Sequence, residues 1–141
     1  MNLGPSNTFS SPVSLSSGLS SQLEQPSSTL RATTVRSASA VVVRAGGEVD
    51  ASNEHTWQGL VTEAATAASQ AGLLVVDVNG LEFMGCCAFT VLADEAERCR
   101  ERGITLRMVS GNPGVARIVD ACAFSNVLPV HPTTESALTV A

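Results

Sequence analysis

The sequence predicts a single α/β domain: a mixed sheet of four to five strands, with four helices concentrated on one face, in the order ββαβαβαβα. Three observations carry the prediction. Short β-branched or apolar runs alternate with stretches whose apolar residues recur at spacings of three and four. Glycines follow the helical stretches, as at Gly72 and Gly103. Strands that succeed one another through helices must run parallel by crossover, which leaves the first strand as the antiparallel one at or near an edge.

The 141 residues divide unevenly. Residues 1–29 are rich in Ser, carry Pro at positions 5, 12 and 26, and hold one charged side chain, Glu24. Such a segment buries too little apolar surface to offset its ordering entropy, so it is expected to be a disordered leader. The domain is expected over residues 30–141.

Leu30–Arg36 reads as the edge strand. Ala40–Ala45, with Val41-Val42-Val43, reads as the second strand, stopped by Gly46-Gly47. Asp50, Ser52 and Asn53 are all good N-cap residues. Beyond them Trp57, Leu60, Val61, Ala64, Ala65 and Ala68 line one face of a helix ending near Gln70. Leu73–Val78 is apolar except for Asp77, the pattern of a strand covered on both faces. Asn79-Gly80 reads as a turn, and Leu81–Met84 extends the element. A second helix follows over Cys86–Arg102, with Ala88, Val91, Leu92, Ala96 and Cys99 inward and Asp94, Glu97, Arg98, Glu101 and Arg102 outward. Ile104–Val109 is the next strand. Ser110-Gly111-Asn112-Pro113 opens a third helix lined by Val115, Ile118, Val119 and Cys122, with Pro near its first turn. Val127–Val130 reads as a short strand. Pro132–Glu135 begins a last helix, with Ala137, Leu138 and Ala141 facing in.

Composition excludes several functions. The net charge is −5, with eight Arg and no Lys, so there is no basic face for nucleic acid. No apolar run approaches the roughly 18 residues of a membrane span, and no basic-then-apolar signal opens the chain. A cytoplasmic location with no membrane association follows, and with it reduced thiols. Cys86, Cys87, Cys99 and Cys122 fit no zinc spacing, and His55 and His131 supply no partner for one, so no metal or other cofactor is expected. Neither His has a nucleophile motif beside it, which argues against an enzyme.

Three segments carry a resemblance. Gly47-Glu48-Val49-Asp50 is similar to the Gly-Glu-(Leu/Ile)-Asp signature after the second strand of STAS domains. Leu74–Phe83 resembles their central strand, and Val115–Phe124 their third helix and the loop after it. The motifs are short, but their order and spacing cover about residues 30–141. Glu54-His55-Thr56-Trp57, Met84-Gly85-Cys86-Cys87 and the stretch from Leu128 to Leu138 look closer still to mycobacterial antagonists of this kind. The resemblance implies a STAS fold and an anti-sigma-factor antagonist. Its partner would be an anti-sigma factor, itself a kinase-like ATP-binding protein, and binding would free a sigma factor for transcription in a stress response. The same fold serves accessory subunits of membrane lipid or anion transporters, which is the competing function.

In the family a kinase can phosphorylate a Ser at the start of the second helix, within Asp-Ser-x-Gly, and the added charge dissociates the complex. Here the aligned residues are Gly85-Cys86-Cys87-Ala88. The switch position is therefore Cys86, flanked by Gly85 and Cys87, and control is expected to be redox-based or absent. A thiolate at Cys86 would face the free N–H groups and positive end of the helix, which favour the charged form. Cys122 is the second candidate redox thiol, taken as partly buried at its helix end. Cys99 reads as core filling. Asp50, Cys86, Thr90, Ser110 and Asn112 are the expected partner-binding residues. The sequence leaves the oligomeric state open, a homodimer included.

Overall fold

The computed structural model of the protein describes residues 10–37 and 40–139. It contains β1 (Ser10–Pro12), α1 (Ser17–Glu24), β2 (Leu30–Ser37), β3 (Ala40–Val49), α2 (Glu54–Ala67), β4 (Leu73–Met84), α3 (Cys86–Glu101), β5 (Thr105–Val109), α4 (Pro113–Ala121), β6 (Val130–His131) and α5 (Thr134–Thr139). The sheet has six strands in sequence order. β1 and β2, and β2 and β3, pair antiparallel, and every later pair is parallel.

From Leu30 onward the order is the expected ββαβαβαβα. The extra strand and extra helix both lie in the segment read as a disordered leader. Residues 10–24 form β1 and α1, so the leader reading is corrected for that part; residues 1–9 lie outside the described residues. Leu15, Leu19 and Leu23 recur every four residues through the serines, and Leu19 is buried in the main core. Ser16 caps α1, its Oγ accepting from the Leu19 N–H at 3.3 Å.

Strand alternation splits the core in two. Val41, Val43, Leu74, Val76, Val78, Leu106 and Met108 face α1 to α4. Val42, Val75 and Val109 face the other way and pack with Ala137 of α5. Four helices therefore share one face, and the last covers the opposite face, a departure from the predicted single helical layer. α5 follows the last described strand, so no crossover to a further strand fixes its side; it is short and buries only Ala137, with Leu138 partly covered. Ala141 lies outside the described residues.

Asn79-Gly80 is not a turn. β4 runs unbroken from Leu73 to Met84, and the ladder to β3 instead shifts register near Gly46 and Gly47. A Cβ on Gly80 would meet the Ala45 carbonyl oxygen at 2.8 Å, so glycine is there to let the strands approach. The short strand expected at Val127–Val130 is Val130–His131, preceded by turns that bury Leu128.

Two buried polar contacts join the helices. Trp57 of α2 is fully buried, and its Nε1 donates to the Ala88 carbonyl oxygen at 3.2 Å. Glu95 of α3, which the sequence reading passed over, is buried as well. It accepts from Thr62 Oγ1 at 2.9 Å and from Arg98 at 2.8 Å, with Arg102 3.5 Å away. A buried carboxylate persists only with such partners. Arg98 thus pairs with Glu95 and not with the Asp94 that precedes it by four.

A candidate partner-binding surface at the C-terminal ends of the parallel strands

β3 and β4 end side by side, and the loops beyond them hold most of the expected site. Gly47 has a φ of +95°, and Glu48 N–H donates to the Thr29 carbonyl at 2.8 Å. Asn53 then gathers the following loop. Its Oδ1 accepts from Asp50 N–H at 2.9 Å, and its Nδ2 donates to the Glu48 carbonyl at 2.9 Å and to Thr29 Oγ1 at 3.1 Å. Asn53 is the N-cap position of α2, yet its side chain serves the loop and makes no capping bond. Asp50 is not the cap either. Its carboxylate accepts from the Ser52 hydroxyl at 2.5 Å and the Ser52 N–H at 2.9 Å. Those bonds, the hydroxyl first, hold Asp50 below its ordinary 3.8 and keep it anionic at the surface.

β4 delivers the switch position. Gly85 N–H donates to the Val49 carbonyl at 2.9 Å, fixing the start of α3 to the end of β3. A Cβ on Gly85 would stand 3.5 Å from that oxygen, 3.6 Å from the Phe83 ring and 3.9 Å from the Asp50 Cα. Asp50, Phe83 and Gly85 therefore form one patch. Cys86, the first residue of α3, is exposed beside it, and Thr90 Oγ1 donates back to the Cys86 carbonyl at 3.3 Å. Cys87 is half-buried. Burial first, then the negative charge of Glu54 and Asp50, pushes its thiol up, so Cys87 stays protonated while Cys86 is the accessible sulfur.

The sequence places Phe83 within the strand extension Leu81–Met84 and gives no sign of its exposure. It is 54% exposed and Ile118 40%, the two large hydrophobic side chains that stand out among the described residues. Nothing in a strand pattern distinguishes a buried closing Phe from one that projects past the sheet. Its neighbours Met84 and Leu81 are half-buried against the core, whereas Phe83 stands exposed.

Ser110 and Asn112 sit beyond β5, at the same end of the sheet. Ser110 is buried. Its N–H donates to the His131 carbonyl at 2.9 Å, and its Oγ accepts from Asn112 N–H at 3.1 Å. Its side chain is thus turned into the loop, where it holds the backbone of Asn112. Asn112 is exposed and caps α4 through Gly114 N–H at 2.9 Å. Asn79 Oδ1 accepts from Gly111 N–H at 2.8 Å, tying this loop to β4.

All four cysteines are free thiols. Cys122 caps the end of α4 and is exposed, not partly buried, because α4 buries only Val119 completely. Cys99 lies within the core, where burial raises its thiol. Pairing Cys99 with Cys122 would require an interior sulfur to reach an exterior one. Among the described residues no three His, Cys, Asp or Glu side chains gather as metal ligands, and no helix is long and apolar enough to cross a membrane.

The mixed sheet thus carries α2 and α3 on one face, with a loop-and-helix patch and the exposed Phe83 at the strand ends. The chain belongs to the STAS domain family, whose sequence profile matches residues 31–137. It is 58% identical over 129 residues to a Mycobacterium tuberculosis protein named anti-anti-sigma factor Rv2638, covering 92% of this chain and 87% of that one. It is 53% identical over 138 residues to the anti-sigma-F factor antagonist RsfA of the same species, covering 98% of both chains. An anti-sigma factor antagonist from Mycobacterium paratuberculosis shares the fold with a TM-score of 0.70 at 24% identity, over 83% of this chain and 97% of that one. The unphosphorylated form of the antagonist SpoIIAA superposes with a TM-score of 0.57 at 15% identity, over 70% and 84% of the two chains.

Proposed function

We propose that this protein is an anti-sigma factor antagonist that binds an anti-sigma factor and so frees a sigma factor. The observation that carries the reading is the pair of relatives at 53% and 58% identity, aligned over nearly the whole chain and both named for that role. The patch of Asp50, Phe83, Gly85, Cys86 and Thr90 supports it. An apolar anchor beside a fixed anion suits a protein partner, and no nucleophile–base pair accompanies it that would suit catalysis. The partner is a kinase-like ATP-binding protein, and the setting is the cytoplasm.

Control passes through Cys86. Position 86 offers a thiol where the family offers a hydroxyl, so phosphate cannot act there. A peroxide that transfers one oxygen atom to the exposed Cys86 thiolate, and leaves as water or hydroxide, gives a sulfenic acid that alters the first turn of α3 and weakens binding; a disulfide with Cys122, at the far end of α4, would require the helices to rearrange. The test is affinity for the cognate anti-sigma factor with thiols reduced and oxidised, in the parent, Cys86→Ala and Cys122→Ala. Tight binding only when reduced, lost sensitivity in Cys86→Ala, is the expected result. Equal affinity in both states would leave an antagonist governed by abundance. Capture of transporter subunits in place of an anti-sigma factor would return the accessory-subunit reading.

A further inference from the structure

We infer that residues 10–24 form a releasable strap: a conformational device that docks on a domain complete without it and steadies the loop that carries Asp50. The domain profile begins at residue 31, and among the buried residues of the main core Leu19 alone comes from this segment. Yet the alignment to RsfA spans 98% of this chain, so the segment accompanies the domain in a relative.

The strap is lightly held. β1 has three residues, one of them Pro12, and pairs only with Val35, Arg36 and Ser37 at the end of β2. One more backbone bond follows, Val13 N–H to the Thr34 carbonyl at 3.0 Å. α1 packs on α2 and β2 through one buried side chain, Leu19, with Leu15 and Leu23 half-covered. Leu19 lies against Gly59 of α2, where a Cβ would make an ordinary contact 3.7 Å from Leu19 Cδ1. The polar ties, Ser16 N–H to Glu63 Oε1 at 2.7 Å and Thr56 Oγ1 to Gln22 Oε1 at 3.1 Å, are exposed, so water competes for them.

The seat also carries a defect. Thr34, on the strand that pairs with β1 and packs under α1, accepts from Val13 N–H through its carbonyl but has its hydroxyl buried without a hydrogen-bond partner, alone among the described side chains. Burying a hydroxyl unpaired opposes docking. When the strap lifts, water reaches that oxygen and the penalty goes. A packed segment with few backbone bonds and an unfavourable group beneath it opens before the rest of the fold.

Its C-terminal end reaches the candidate site. Gln22 bonds to Thr56 in the first turn of α2, and the chain continues to Thr29, whose carbonyl and hydroxyl hold Glu48 and Asn53. Docking therefore orders residues 48–53, and release loosens them.

Hydrogen exchange on the full chain tests the device without any partner. In the parent, α1 amides exchange together, at least about tenfold faster than those of β4. Leu19→Glu removes protection from residues 13–24 and raises exchange at residues 48–53, while β4 stays protected. Thr34→Val slows α1 exchange by about fivefold, the effect of removing one unpaired buried hydroxyl, and leaves β4 relatively unchanged. α1 exchanging at the β4 rate would overturn the inference, as would a Thr34→Val effect equal in both elements. An unmoved loop in folded Leu19→Glu would overturn the coupling. Should Leu19→Glu unfold the domain, the Thr34→Val comparison decides alone.

Discussion

Gly47 and Thr29 touch so closely that a Cβ on the glycine would clash with the threonine's carbonyl oxygen. Gly47 also has a φ of +95°, where a side chain is strained whatever the space. Its neighbour Gly46 differs: a Cβ there meets nothing nearer than the Gly80 carbonyl oxygen at 3.6 Å. Gly47→Ala is expected to cost at least about 3 kcal/mol, and Gly46→Ala less than about 1 kcal/mol. Urea unfolding followed by far-ultraviolet circular dichroism separates them. Equal losses would mean that the close approach does not govern the loop.

Ala123 is the described non-glycine residue with positive φ, at +62°. It follows α4, and Phe124 N–H closes the helix end by donating to the Val119 carbonyl at 2.9 Å. Glycine suits this left-handed position better than alanine. Ala123→Gly should stabilise the protein by about 0.5–1 kcal/mol, read as a rise in melting temperature. A fall would show that Ala123 contributes packing that outweighs its strain.

His131 gives a pH dependence. Burial, then the Arg107 guanidinium, lowers it from its ordinary 6.5, so the fold prefers the neutral ring. The unfolded chain then binds more protons between the two values, and stability rises with pH across that window. The contribution is full above about pH 6.5 and is lost as pH falls through 6.5 toward the lower folded value. Melting temperatures of the parent should drop through that range, and His131→Gln should flatten the slope. An unchanged slope would assign the effect to other groups.

Gly85 and Cys86 make a prediction about phosphorylation. The cognate anti-sigma factor with ATP should leave the parent unmodified. Cys86→Ser alone should accept phosphate poorly, because Gly85 also departs from the family's Asp-Ser pattern. Gly85 has room for a side chain, its would-be Cβ making only ordinary contacts, so Gly85→Asp with Cys86→Ser should fold and be the better substrate. Phosphate mapped to Thr90 in the parent would show that the switch had moved by one helical turn.

How far the fold could be read from the sequence depended on element type. Helices with a clean apolar stripe, such as the one carrying Trp57, Leu60, Val61, Ala64 and Ala65, were legible because burial follows the 3.6-residue period. α1 was not, because a serine-rich composition points to disorder and hides a four-residue leucine repeat whose partners on α2 and β2 appear only in the fold. Asn79-Gly80 looked like a turn because the sequence does not say which strand lies alongside, and only the approach of Ala45 and Gly46 explains the glycine. The site divided in the same way. The start of α3 at Cys86 was legible from the sequence. The charge of Glu54 on Cys87, the outward Phe83 and the inward Ser110 all depend on neighbours brought together by crossovers, which no local pattern encodes.

Trp57 is the only tryptophan in the chain. It is fully buried, and its indole is bonded to Ala88, two residues from Cys86. The protein therefore contains its own fluorescent reporter, seated beneath the helix turn proposed to change on oxidation. Its emission should shift with the redox state of Cys86 before any partner is added, and partner-free titrations become a direct optical assay of the switch.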